Sequence, residues 1–232
     1  MRLALHTWGS PDAGRTALLI HGALSSHSTW SRVAAEFAGR GYHVIAPDLR
    51  GHGASPWADS YTGEDYAADL VESLPKSVDL ALGHSIGARA LLLAVDALAP
   101  EKAVYNDPSW FRRPESYALL REFGPASKVI SQEQLRQMNP RWTIEEVAAE
   151  WADYQAWDSQ VIDGAELFKD MDIPAPAVPS LVVAADPSVP ITPEAAEYLT
   201  GLGYTIRVVK DTRHVVHRDD LQGFMTALDG WI

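Results

Sequence analysis

Five consecutive residues carry the strongest chemical signal in this chain. Gly83-His84-Ser85-Ile86-Gly87 places a serine between two glycines, after the apolar run Asp79–Leu82 and before the helical pattern Ile86–Leu98. A strand-to-helix turn this tight holds its serine in a strained backbone conformation, with Oγ clear of the sheet edge. It leaves no room for side chains two residues before and after, hence Gly83 and Gly87. Such a hydroxyl becomes a nucleophile once a base takes its proton. The adjoining helix N-terminus favours negative charge developing beside it. Ile20-His21-Gly22-Ala23 follows another strand candidate upstream. A loop so placed supplies one oxyanion-hole N–H and the residue after the nucleophile supplies the other, which assigns the hole to the backbone of Ala23 and Ile86. His21 is read as structural, tying that loop down.

The elements that must position these residues alternate strand and helix. Leu3–Trp8, Thr16–Ile20, His43–Ala46, Asp79–Leu82, Ala103–Tyr105, Ser180–Ala184 and Thr205–Val209 read as strands. Helical patterns cover Thr29–Ala38, Glu64–Leu74, Ile86–Leu98, Pro193–Thr200 and Asp219–Trp231. This is the pattern of a mostly parallel, doubly wound sheet of about seven strands. Residues 109–173 interrupt it with helix signals only. Pro114 opens a helix that Gly124 is expected to close. Ser131-x-x-Gln134 and Thr143-x-x-Glu146 read as capping boxes. Ile144, Val147, Trp151 and Tyr154 then share a face. The expected division is a core of 1–108 and 174–232 with a helical cap, or lid, over the C-terminal strand ends, where ligands bind in open α/β sheets.

Bulk properties narrow the chemistry further. The chain has 232 residues, 47% hydrophobic and 22% charged, enough for one α/β domain with an insertion. A net charge of −12 argues against nucleic acid and anionic membrane surfaces as partners. With no cysteine, disulfides, zinc thiolates and cysteine nucleophiles are excluded. The first residues are too short an apolar stretch for a signal peptide, and no run approaches the roughly 20 residues that cross a bilayer. A cytoplasmic protein is the expectation, and a homo-oligomer is compatible with it.

Taken together, His21-Gly22, Pro47-Asp48-Leu49-Arg50-Gly51-His52-Gly53-Ala54-Ser55, Gly83-His84-Ser85-Ile86-Gly87, Leu181–Pro190 and Thr212-Arg213-His214 resemble the α/β-hydrolase superfamily in order and spacing. The resemblance covers nearly the whole chain. It implies a Ser…Asp…His chain order, a helical cap and no cofactor or metal. It assigns the base to His214, which follows the last strand, while His217 is expected to point into solvent. It assigns the acid to Asp186 at the end of its strand, although Ala184-Ala185 shortens the usual loop; Asp107, after Ala103–Tyr105, is the second position. His6, His27, His43 and His52 are expected on the surface or in loops, and Asp48, Arg50 and His52 to organise the loop beside the site. Trp110 and Trp151 are read as substrate contacts under the cap, and Arg112 or Arg113 as able to meet a carboxylate. The expected reaction is hydrolysis of a carboxylic ester, lactone or related small, apolar acyl compound. C–C bond hydrolysis, a small-molecule receptor with little turnover, and a cofactor-free perhydrolase remain as alternatives.

Overall fold

The computed structural model describes residues 1–111, 113–163 and 169–232. Strands β1 (Leu5–Trp8), β2 (Arg15–Ile20), β3 (Tyr42–Pro47), β4 (Leu80–His84), β5 (Lys102–Asn106), β6 (Ser180–Asp186) and β7 (Thr205–Lys210) form one sheet in the order β1-β3-β2-β4-β5-β6-β7. Only β1 runs antiparallel, with Leu5 opposite Pro47; the other pairs are parallel. The central strands are buried on both faces, which is why Ala17–Ile20 and Leu80–Leu82 read as continuous apolar runs. Leu18, Ile20, Ala81, Val182 and Ala184 point into one core, and Ala17, Leu19, Leu80, Leu181 and Val183 into the other.

The first core is covered by α2 (Gly63–Ser73), α3 (Ile86–Leu98) and α8 (Pro193–Leu202), the second by α1 (Ser31–Gly39) and α10 (Leu221–Ala227). A short 3-10 turn, His27–Trp30, precedes α1, and the short helix α9 (Val216–Asp219) precedes α10. The terminal helix expected over Asp219–Trp231 is shorter, Leu221–Ala227, with the separate turn Val216–Asp219 before it. Asp220 leaves helical geometry at φ −148° and caps α10 by accepting from Gly223 N. No described helix is long and apolar enough to cross a membrane.

Between β5 and β6 the described residues form α4 (Pro114–Ser127), α5 (Gln132–Met138), α6 (Ile144–Gln155) and α7 (Gln160–Asp163). Both capping boxes form: Ser131 and Gln134, and Thr143 and Glu146, exchange side-chain-to-backbone bonds. Gly124 does not close α4, which runs on to Ser127. A Cβ there would lie 2.6 Å from Ile162 Cδ1, so this glycine permits close packing. Ile144 is exposed, whereas Val147 and Tyr154 are buried.

Trp110 corrects the reading that it contacts substrate. It is wholly buried in the core, its indole N–H directed at Ala88 O (3.4 Å) and its ring edge-on to Tyr105 and Tyr204 at 4.7 and 5.5 Å. Trp110→Ala should therefore act on stability, costing roughly 3–5 kcal/mol through the cavity it leaves. Denaturant titration checks this; an unchanged midpoint with altered ester preference would restore the ligand role.

Candidate active site

Ser85 sits between β4 and α3 at φ 52°, ψ −115°, a conformation L-residues rarely adopt. The flanking glycines make the turn possible. A Cβ on Gly83 would meet Gly87 O at 2.6 Å, and one on Gly87 would meet His21 O at 2.3 Å. Ile86 opens α3, so its N–H belongs to the first helical turn, which has no intrahelical acceptor. Gly22 packs against the nucleophile turn, so closely that a Cβ at this position would lie 3.2 Å from Ser85 Cβ. The Gly22 backbone therefore lies beside Ser85. His21 holds that loop: its Nε2 accepts from Leu49 N (2.8 Å) and its Nδ1 donates to Gly22 O (2.7 Å). Burial first of all depresses its pKa to about 4, so the ring is neutral at ordinary pH.

His214 follows β7 and reaches Ser85, with Nε2 2.9 Å from Oγ. Its Nδ1 lies 2.7 Å from Asp107 Oδ2. This network fixes the tautomer: Nδ1–H donates to the carboxylate and Nε2 accepts the serine proton. The acid beside His214 is therefore Asp107, and the assignment to Asp186 is corrected. The reason is geometric. β5 lies next to the nucleophile strand β4, and Asp107 leaves it at φ 41°, buried, facing His214. β6 is one strand further out, and Asp186 at its end is exposed and bridges to Thr212 across the β7 side. The β6 loop contributes support instead. Ala185 N (3.2 Å) and Ser188 Oγ (2.7 Å) both donate to Asp107 Oδ1, leaving Oδ2 for the imidazole.

Two further histidines back this arrangement. His84 Nε2 donates to the carbonyl of His214 (2.8 Å). His217, expected in solvent, is buried: Asn106 Nδ2 donates to its Nδ1, its Nε2 donates to Thr29 Oγ1, each at 2.9 Å, and Trp30 stacks on it at 4.1 Å. Burial drives both pKa values well below the usual imidazole range. They are neutral props for the loop that carries His214. Sequence reading missed them because a histidine's burial is set by neighbours distant in the chain. His52 is likewise buried, its Nδ1 donating to Arg50 O (2.9 Å), and burial chiefly lowers its pKa to about 3.

Asp48 organises the loop beside the site. Its carboxylate accepts from His27 N (2.9 Å), His27 Nδ1 (2.8 Å), Ala54 N (2.9 Å) and His6 Nε2 (3.1 Å). Burial opposes its charge, yet the bonds from His27 and Ala54 hold it well below the carboxylate range. The His6 and His27 rings stack face to face, 3.2 Å apart and 7° from parallel. Each carboxylate oxygen of Asp48 already accepts two hydrogen bonds. The cluster works as a staple between β1, the 3-10 turn and β3.

From the insert, α6 turns a row of buried carboxylates toward the segment after the oxyanion loop. Glu146 meets Arg32 (3.4 Å); Glu150 meets Ser25 Oγ (3.1 Å) and Arg218 (2.5 Å); Asp153 meets Ser28 Oγ (2.5 Å). Trp151 is half-buried, and its indole N–H donates to Ile130 O (2.9 Å) within the insert. Arg113 stands at the N-cap position of α4 without a side-chain capping bond, and Arg112 lies outside the described residues.

Asp153 titrates near 6, above its usual 3.8, first through burial and then through the charge of Glu150, against bonds from Ser28 and Ser26 and the Arg218 charge. A proton held more tightly in the folded state stabilises it below 3.8, and that contribution is lost as pH rises through about 6. Asp153→Asn mimics the protonated form. Its Tm relative to the wild type should rise between about pH 4 and about pH 7, by the equivalent of ~2–3 kcal/mol. Melts across that range check the sign; a flat difference would mean that Asp153 titrates normally.

Comparison with known proteins agrees with this architecture. The family model described as the alpha/beta hydrolase family matches residues 17–227. The chain belongs to that family. An epoxide hydrolase from Caballeronia sordidicola is 33% identical over 137 residues, covering 53% of this chain and 41% of that protein. The chain spans only about a quarter of the length of other curated relatives it matches, among them a serine hydrolase-like protein of Dictyostelium discoideum. Among solved structures, E-2-(acetamidomethylene)succinate hydrolase superposes with TM-score 0.83 at 21% identity, covering 99% of this chain and 94% of that one. Est816, described as an N-acyl homoserine lactone degrading enzyme, gives 0.75 at 20%, covering 99% and 96%. At these identities the structural likeness speaks for the fold alone.

Proposed function

We propose that the protein is a serine hydrolase that cleaves a carboxylic ester, lactone or related small acyl compound through an acyl-enzyme. The observation that carries this reading is the continuous relay from Ser85 Oγ through His214 to Asp107, at 2.9 and 2.7 Å. His214 Nε2 takes the serine proton as Oγ attacks the carbonyl carbon. The Ala23 and Ile86 N–H groups receive the oxyanion, and the Asp107 carboxylate stabilises the imidazolium. The same nitrogen returns the proton to the leaving alcohol. Water, deprotonated by His214, then releases the acid and restores Ser85.

An epoxide-opening reaction of the carboxylate-nucleophile kind would need Asp or Glu where Ser85 stands. The serine therefore favours acyl transfer, in spite of the likeness to an epoxide hydrolase. The test is a panel of p-nitrophenyl esters of rising chain length beside several lactones. The expected result is multiple turnover with a burst of p-nitrophenol equal to one site per chain. A burst without turnover would favour a receptor, and no reaction with any member would remove the reading.

A further inference from the structure

The oxyanion loop is held from outside itself. Leu24, directly after Ala23, has φ 62°, a left-handed conformation costly for leucine that neighbours must maintain. The next residue, Ser25, is buried and donates to Glu150 Oε2 (3.1 Å) on α6. Glu150 is in turn fixed by Arg218 Nη1 (2.5 Å), whose guanidinium lies under the Trp142 ring at 4.8 Å. A buried carboxylate is expensive unless paired, and this one has both a counter-charge and a hydroxyl donor. Glu146 and Asp153, on the same face of α6, bind Arg32 and Ser28 further along. The link at Ser25 is thus the one nearest Ala23 in the chain.

We propose that Glu150 of the helical insert is a positioning residue for the oxyanion hole, acting through Ser25 to hold the Ala23 N–H against Ser85. The inference rests on the acyl-transfer reading above and adds a specific dependence of the core's hole on the insert. Its physical basis is that an oxyanion donor works only within a few tenths of an ångström of its acceptor. Removing the donor altogether costs on the order of 10²–10³ in rate. Loosening it should cost a fraction of that.

The experiment compares steady-state kinetics on the best p-nitrophenyl ester, together with Tm, for four variants. Ser25→Ala breaks the link without disturbing the Glu150–Arg218 pair. Its kcat should fall roughly tenfold to thirtyfold, with KM changed less than about threefold and Tm lowered by only a few degrees, the folded state being kept at the assay temperature. Ser25→Cys, similar in volume but a poor donor, should behave alike, and serves if the alanine variant does not fold. Ser25→Thr keeps the hydroxyl and should recover most of the rate. Arg32→Ala cuts the contact with Glu146 on the same helix face and should leave kcat unchanged. A merely structural link would lower Tm and leave the kcat of folded protein intact, which overturns the proposal. Equal losses from Arg32→Ala and Ser25→Ala would also overturn it. If the wild type turns over no ester or lactone, the hydrolase reading itself falls. If the wild type is active and Ser25→Ala matches it, only this inference falls.

Discussion

Ser85→Ala is expected to lower kcat by about six orders of magnitude, the size of loss seen when a triad serine is removed from an enzyme that acts through one. The same change should abolish covalent capture. A fluorophosphonate should add one adduct to the wild type, visible in the intact mass, and none to the variant. The fold should survive, because alanine is smaller than serine and the turn depends on Gly83 and Gly87 making room for it. Circular dichroism and Tm confirm that control. Comparable adducts on both proteins would place the reactive hydroxyl elsewhere and take the acyl-enzyme reading with it.

The second large effect separates two aspartates. Asp107→Asn should lower kcat by roughly 10⁴, since an amide cannot reliably hold the Nδ1–H tautomer or stabilise the imidazolium. Asp186→Asn should stay within a few-fold of wild type, because that side chain is exposed and does not meet His214. Both variants need melting curves beside the kinetics. The opposite ranking, in two folded proteins, would return the acid to the end of β6.

Those two aspartates also mark where sequence reading ran out. The nucleophile turn was legible because its constraint is local: two glycines, a strand before and a helix after. The capping boxes at Ser131 and Thr143 were legible for the same reason. The acid depends on which strand end lies nearest the histidine loop, and spacing alone does not give that distance. One clue was present, since Ala184-Ala185 leaves the β6 loop short. The structure gives that shortness a meaning: the loop supplies Ala185 N and Ser188 Oγ to Asp107. The buried face of α6 was legible only in part, with Val147 and Tyr154 buried as their period predicts, for a related reason. Ile144 fits the apolar period but is exposed, while Glu146, Glu150 and Asp153 turn inward because their partners come from remote parts of the chain. Trp110 shows the same limit, since an aromatic ring that seals a core and one that greets a ligand look alike in a sequence.

The left-handed backbones at Ser85 and Asp107, φ 52° and 41°, carry a consequence for how this chain can change over time. Selection for stability alone would replace Ser85, because glycine occupies that region at lower cost. Ser85→Gly is thus a substitution that can raise fold stability while silencing the relay. Asp107 is different, because its buried carboxylate accepts from Ala185 N, Ser188 Oγ and His214, and an asparagine amide would face one of those donors. A lineage released from its chemistry would drift toward the glycine. Stability and activity pull in opposite directions at Ser85.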